Sequence, residues 1–273
     1  MKVACIQPKI FQDKNKCYFE IEQILSCLLK KYSKLDILCL PERWVPVFRD
    51  LSENFQEERG EDYLFIKNLA KKHNIKILSG GIWELRTNSE KPIITCYFIN
   101  EKGKEIGRQD KIHLYSSEKK QFEPGKELKL FKLDNSYNFA ILICFDMAFF
   151  ETPRLAVESG ADILFSPTQI REDGMYNWDV YLKARALENR VPIVACNTFG
   201  IFYKRNFVGN SKIISFIGGN ISPSKLKIVE GPVGSSGYVF DDIDVEFPRK
   251  LRRIRLNEII AKNEILVKRI DNQ

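Results

Sequence analysis

Three residues at the ends of separate strand-like runs carry side chains that together would break a carbonyl–nitrogen bond. Cys144 follows Phe139-Ala140-Ile141-Leu142-Ile143, Glu42 follows Ile37-Leu38-Cys39-Leu40-Pro41, and Lys111 closes the run that starts at Glu105. A cysteine thiolate is an effective nucleophile, and a neighbouring ammonium favours its formation. A glutamate can accept the thiol proton and return it to a departing amine. The ammonium of Lys111 and the backbone N–H of Phe145 would hold the oxyanion of a tetrahedral intermediate. Attack at an amide carbon, loss of ammonia or an amine, and hydrolysis of the thioester complete the cycle. Taken singly, each residue has an ordinary alternative: a strand cysteine is usually a small buried hydrophobe, and Glu or Lys at a strand end is usually a solvated charge. It is the coincidence of the three that points to a site.

The elements that must position them alternate along the chain. Apolar runs at Val3 to Gln7, Ile37 to Leu40, Ile75 to Gly81, Ile163 to Ser166 and Ile193 to Cys196 read as buried strands. Helical spacing runs over Lys14 to Tyr32, about Asp62 to His73, and Trp178 to Asn189. Ile93 to Asn100 and Glu105 to Gln109 flank Glu101-Lys102-Gly103 as a hairpin. After Cys144, Thr152 as N-cap and Pro153 in the first turn open a helix that closes at Gly160. Cys144 would then stand at a strand-to-helix corner similar to the nucleophile elbow of hydrolases, at the end of a sheet where α/β folds bind ligands. The segment from Gly209 to Val239, richer in Gly and Ser, reads as strands with turns. No linker, repeat or low-complexity stretch divides the chain, so we expect one domain over residues 1–273, with sheets covered by outer helices and a tail from about 250.

Composition narrows the class. The chain has 273 residues, 44% of them hydrophobic, enough for a large core. Its seven cysteines stand singly, several inside apolar runs and none at metal-ligand spacing, which suits a reduced, cytoplasmic protein. Met1-Lys2-Val3-Ala4 is strand-like rather than a signal peptide, and no run approaches the roughly 18 apolar residues of a membrane span, so no membrane partner is expected. The net charge of +7 is densest at Arg249-Lys250-Leu251-Arg252-Arg253-Ile254-Arg255. Leu256, Ile259 and Ile260 follow at helical spacing, so the run reads as a solvated face leading into a tail helix. Without an interleaved aromatic platform, no nucleic-acid partner is expected. Two histidines, His73 and His113, without a carboxylate cluster argue against a metal-dependent phosphoesterase.

The chain resembles the nitrilase superfamily of carbon–nitrogen hydrolases. The resemblance rests on Leu40-Pro41-Glu42, Lys111-Ile112-His113-Leu114, Ile143-Cys144-Phe145-Asp146 and Gly160-Ala161-Asp162-Ile163-Leu164. It continues through Ser166-Pro167-Thr168, Trp178, Ala184-Arg185-Ala186-Leu187-Glu188-Asn189, Ala195-Cys196-Asn197 and Gly209-Asn210-Ser211. It implies a four-layer αββα sandwich, paired into a dimer through the outer helices after the nucleophile and before Asn197. Leu256, Ile259, Ile260 and Ile265 would form a tail packing across subunits. By the same resemblance Cys144 is the nucleophile, Glu42 the general base and Lys111 the oxyanion-stabilising lysine. A second glutamate after the lysine orients it; Glu118 fits that position better than Glu123. No metal or organic cofactor is implied, and His113 is a structural hydrogen-bonding residue.

The run after the nucleophile departs from the family pattern. Branches that grip a substrate carboxylate carry a Cys-aromatic-Asp-x-Arg-Phe-Pro-Glu run, whereas this chain has Cys144-Phe145-Asp146-Met147-Ala148-Phe149-Phe150-Glu151. Ala148 takes the Arg position and Phe150 replaces Pro, so no bidentate clamp for a carboxylate is offered. The expected substrates are small neutral, amine-bearing or aromatic amides, or N-carbamoyl compounds, in a pocket lined by Trp44, Tyr115, Ala148, Thr168 and Trp178. The same residues would also serve nitrile hydrolysis, and an inactive relative acting as a binding protein would carry them too.

Overall fold

Strands apolar on both faces dictate a buried sheet with layers above and below it. In β1 (Lys2–Gln7), Val3 and Cys5 face one way and Ala4 and Ile6 the other, all four fully buried. The computed structural model describes residues 1–273 except 134–136, 203, 259–263, 267 and 269–273. After β1 come α1 (Lys14–Lys31), β2 (Ile37–Cys39), β3 (Gln56–Glu57), α2 (Glu61–His73), β4 (Ile77–Leu78), β5 (Ile82–Leu85), β6 (Ile93–Ile99) and β7 (Glu105–Asp110). The short α3 (Glu118–Gln121), β8 (Leu130–Leu133) and β9 (Tyr137–Ile141) lead to a 3₁₀ turn at Cys144–Ala148, then α4 (Glu151–Glu158), β10 (Ile163–Pro167), α5 (Met175–Asn189) and β11 (Ile193–Cys196). A hairpin of β12 (Phe199–Phe202) and β13 (Arg205–Val208) precedes β14 (Lys212–Phe216), β15 (Leu226–Glu230), β16 (Gly237–Asp242) and α6 (Glu246–Leu256).

Two sheets form the centre. One runs β16-β1-β2-β4-β6-β5-β3 with β7 also on β6; the other runs β15-β14-β11-β10-β9-β8. Their inner faces meet in a core that joins Cys5, Cys39, Leu78, Ile94 and Phe98 to Phe139, Ile141, Phe165, Val194 and Ile213. On the outer face of the first sheet, Leu38, Ile77 and Tyr97 pack under Ile21, Leu25 and Leu28 of α1 and Ile66 and Leu69 of α2. Ala140, Leu164, Ile193 and Ile214 pack in the same way under Ala156 of α4 and Trp178, Leu182 and Ala186 of α5. The architecture is therefore the expected αββα sandwich. β6 is antiparallel to both β4 and β7, while β2 is parallel to β4, so β2 and β7 end at one edge. That common direction is what brings Glu42 and Lys111 together.

Several boundaries differ from the sequence reading. α4 starts at Glu151 with Phe150 as N-cap, so Thr152 lies within the helix; its hydroxyl instead sits 3.4 Å from the His113 ring nitrogen. The strand read at Ile75 to Gly81 shortens to β4, because Gly80 at φ 70° turns the chain. β5 and β8 carry too short an alternation to stand out. Within α6, Arg249 and Arg252 are not solvated: they converge on the buried Asp162 at 2.8 Å. Of the tail residues, Ile259, Ile260 and the side chain of Leu256 lie outside the described residues, and Ile265 is exposed.

Candidate active site

Lys111 is the hub. Its side chain is 1% exposed, and its ammonium donates to Glu42 Oε1 at 2.7 Å and to both oxygens of Glu118 at 2.9 and 2.7 Å. An ammonium has three N–H donors, and here each has a carboxylate oxygen. Gly125 holds the strand end that carries Lys111, donating its N–H to the Lys111 carbonyl at 2.7 Å. Glu118 is placed by its own helix turn and accepts the Tyr115 N–H at 2.8 Å. Glu123, by contrast, accepts from Ser89 and does not reach the lysine. The backbone N–H of Glu42 donates to the Thr168 carbonyl, and Gly80-Gly81 pack against its other side. A Cβ at Gly81 would stand 2.6 Å from the Glu42 carbonyl oxygen and 2.9 Å from its Cγ. Only glycine leaves that side chain its place.

Cys144 opens the 3₁₀ turn at φ 48°, a left-handed conformation that costs a side-chain-bearing residue about 1–2 kcal/mol. The surroundings hold it there. Asp146 Oδ2 accepts the Ile143 N–H at 2.9 Å, and the backbone N–H of Gln169 hydrogen-bonds the Cys144 sulfur. Asn197 shapes the Gln169 loop, its Oδ1 accepting the Ile170 N–H at 2.8 Å and its Nδ2 donating to the Ile170 carbonyl at 3.3 Å.

The electrostatics follow from burial. Desolvation pushes the Cys144 thiol well above its usual range and Glu42 adds to this, while Lys111 and the Gln169 amide pull the other way. Burial also raises the Glu42 carboxyl, with Lys111 opposing and Glu118 reinforcing the rise. Burial disfavours the Lys111 charge, but Glu42, Cys144 and Glu118 outweigh it and raise its pKa. Burial thus disfavours ionisation of the thiol, which stands beside the Glu42 carboxyl and a fixed cation. This arrangement can pass one proton from sulfur to Glu42 without leaving a bare charge. Among the described residues no three His, Cys, Asp or Glu side chains gather as ligands for a metal ion.

Residues 2–225 match the family model for carbon–nitrogen hydrolases. The chain belongs to that family. A probable nitrilase of Schizosaccharomyces pombe is 29% identical over 78% of this chain and 79% of its own length. A 2-oxoglutaramate amidase of Bacillus subtilis is 31% identical over 78% and 82%. Among solved structures, Saccharomyces cerevisiae Nit3, a member of branch 10 of the nitrilase superfamily, superposes with a TM-score of 0.81 at 23% identity, covering 97% of each chain.

For this carbon–nitrogen hydrolase the residues expected around the pocket divide. Tyr115 is 48% exposed and packs edge-on against Phe145, which in turn meets Phe149. Ala148 is half-buried, its carbonyl accepting from Arg185 at 3.0 Å. Trp44, Trp178 and Thr168 are all buried. Trp44 is buried beneath α1 and α2, with its indole donating to the Ser79 carbonyl. Trp178 sits on the face of α5 that packs on the second sheet. Thr168 is fully buried, with its hydroxyl on the Cys196 carbonyl, and it serves Glu42 only through its backbone. Sequence reasoning missed Gln169, whose contribution is a backbone N–H that any residue type supplies. It also missed Gly81 and the bridging carboxylate of Asp146, each of which is recognisable only by what it touches.

Proposed function

We propose that the chain hydrolyses a small linear amide or N-carbamoyl compound through a thioester on Cys144. The observation that carries this is the buried Lys111 ammonium shared between Glu42 and Glu118 at 2.7 Å from each, beside the strained cysteine. Substrate binding brings a carbonyl carbon to the sulfur, and the thiol proton passes to Glu42 as the C–S bond forms. The oxyanion is met by Lys111, which releases one of its two Glu118 contacts, and by the Phe145 N–H. Glu42 then protonates the departing nitrogen and ammonia leaves. Water, deprotonated by Glu42, attacks the thioester and frees the acid, and the proton returns to sulfur. Glu118 keeps Lys111 oriented throughout.

The acyl pocket favours a neutral group. Ala148 offers no charge, and the nearby rim is aromatic, with Tyr115, Phe149 and Phe150 all exposed. The relative named a 2-oxoglutaramate amidase supports the reaction class, while Ala148 stands where the resemblance places the arginine of carboxylate-gripping branches. Leu155, Val180 and Leu187 on the outer faces of α4 and α5 are exposed apolar residues that a homodimer would cover. Free cysteines throughout suit a reducing, cytoplasmic setting, and no helix among the described residues is long and apolar enough to cross a membrane.

Ammonia release across neutral amides, dicarboxylic monoamides, N-carbamoyl compounds and nitriles tests the reading, with neutral amides expected to lead. Faster turnover of a dicarboxylic monoamide would overturn the pocket assignment. Cys144→Ala should keep the fold and lose all hydrolysis; full residual activity would refute the mechanism.

A further inference from the structure

One buried carboxylate joins the nucleophile turn to the lysine segment without touching the reacting atoms. Asp146 is fully buried, and two backbone N–H groups and an imidazole nitrogen converge on it. Oδ2 takes the N–H of Ile143, the residue before Cys144, at 2.9 Å. Oδ1 takes the backbone N–H of His113, two residues after Lys111, at 2.7 Å and lies 3.0 Å from His113 Nδ1. No lysine or arginine among the described residues pairs with Asp146, so these donors alone offset the cost of burying the carboxylate. The imidazole is wedged in turn: its ring stacks on Phe149 at 4.4 Å between centroids, and Thr152 Oγ1 lies 3.4 Å from Nδ1. Cys144 comes from the second sheet and Lys111 from the first, so their separation would otherwise depend on side-chain packing between the sheets. Asp146 replaces that with hydrogen bonds to the backbone on both sides.

We propose that Asp146, clamped by His113, is the positioning residue that fixes Cys144 against Lys111 and holds the left-handed elbow. This rests on Cys144 being the nucleophile. Asp146→Asn tests it with almost no change of volume. The amide keeps one accepting oxygen but turns an NH₂ toward one of the two backbone donors, so either the elbow or the lysine segment loses its anchor.

The full chain and two variants are compared by the rate at which iodoacetamide labels Cys144, read by peptide mass spectrometry. kcat and KM are measured with the best amide of the screen above. In D146N, alkylation and kcat should fall on the order of 100-fold with KM little changed, since a misplacement of about 1 Å has that effect. A purely structural role would lower the melting temperature but leave folded molecules with wild-type rates. Folded D146N that alkylates and turns over normally overturns the proposal. If D146N does not fold, His113→Leu decides, because it leaves Asp146 and every backbone donor in place. A kcat and alkylation rate reduced about tenfold support the clamp, and wild-type values overturn it. If wild-type label falls on another thiol, the nucleophile assignment fails first and the clamp fails with it.

Discussion

Replacing Glu118 by Gln keeps the shape of the side chain and removes one of the two negative charges around Lys111. Both Glu118 oxygens accept from the ammonium, at 2.9 and 2.7 Å, and the carboxylate side chain is 19% exposed. The amide keeps one acceptor, so the change converts a two-point charged contact into a single neutral one. Hydrogen bonds to charged groups are worth about 1.5–3 kcal/mol. If that orientation is needed in the transition state, kcat/KM should fall roughly 10- to 150-fold, at 1.36 kcal/mol per decade. A second signature follows from sign. Glu118 is one of the groups that raise the Glu42 carboxyl, behind burial itself. Removing it lowers the Glu42 pKa, so the acid limb of kcat/KM should move to lower pH. Initial rates of ammonia release from pH 4 to 9, for wild type and E118Q, give both readouts. An unchanged kcat/KM, or an acid limb displaced upward, would refute the role given to Glu118.

Gly81→Ala places a methyl within 3 Å of Glu42, and kcat should fall by at least about tenfold, with a lower melting temperature; a wild-type kcat would show that Glu42 moves freely. Asp162→Asn weakens the anchoring of α6 through Arg249 and Arg252, lowering stability in urea unfolding by about 1.5–3 kcal/mol near neutrality. Burial raises the Asp162 carboxyl, but Arg249, the Asn138 N–H and Arg252 outweigh it and hold it below its usual range. Its contribution is therefore complete above the unfolded value near 3.9 and is lost as pH falls through the lower native value, so the stability gap between wild type and D162N should close only below about pH 4. Ala148→Arg puts a charge at the position where the family resemblance places an arginine in carboxylate-gripping branches. The preference for a dicarboxylic monoamide over a neutral amide should rise about tenfold or more in kcat/KM, and no rise would place the acyl group elsewhere.

Much of the layering was legible because strand periodicity and apolar content report burial directly: β1 alternates Val3 and Cys5 against Ala4 and Ile6, and each pair meets a different layer. Helical spacing also reports the direction of Trp178, which shares a face of α5 with Leu182 and Ala186 and turns inward with them. Trp44 follows Glu42 by only two residues. In a loop, closeness along the chain does not fix direction, and its indole turns to the Ser79 carbonyl under α1 and α2.

The sequence by itself determined which groups are able to do the chemistry. Glu42, Lys111 and Cys144 are recognisable by type and by their positions after strands, while Glu118 and the charge missing at Ala148 are recognisable through the family resemblance. Tertiary structure alone decided how they are held. Glu118 rather than Glu123 meets the lysine because a short helix turn aims it there. Gln169 acts through its backbone, Gly81 through the space it leaves, and Asp146 through N–H groups from two sheets. Side-chain type is written residue by residue, whereas distances between residues far apart in sequence arise only when the two sheets pack.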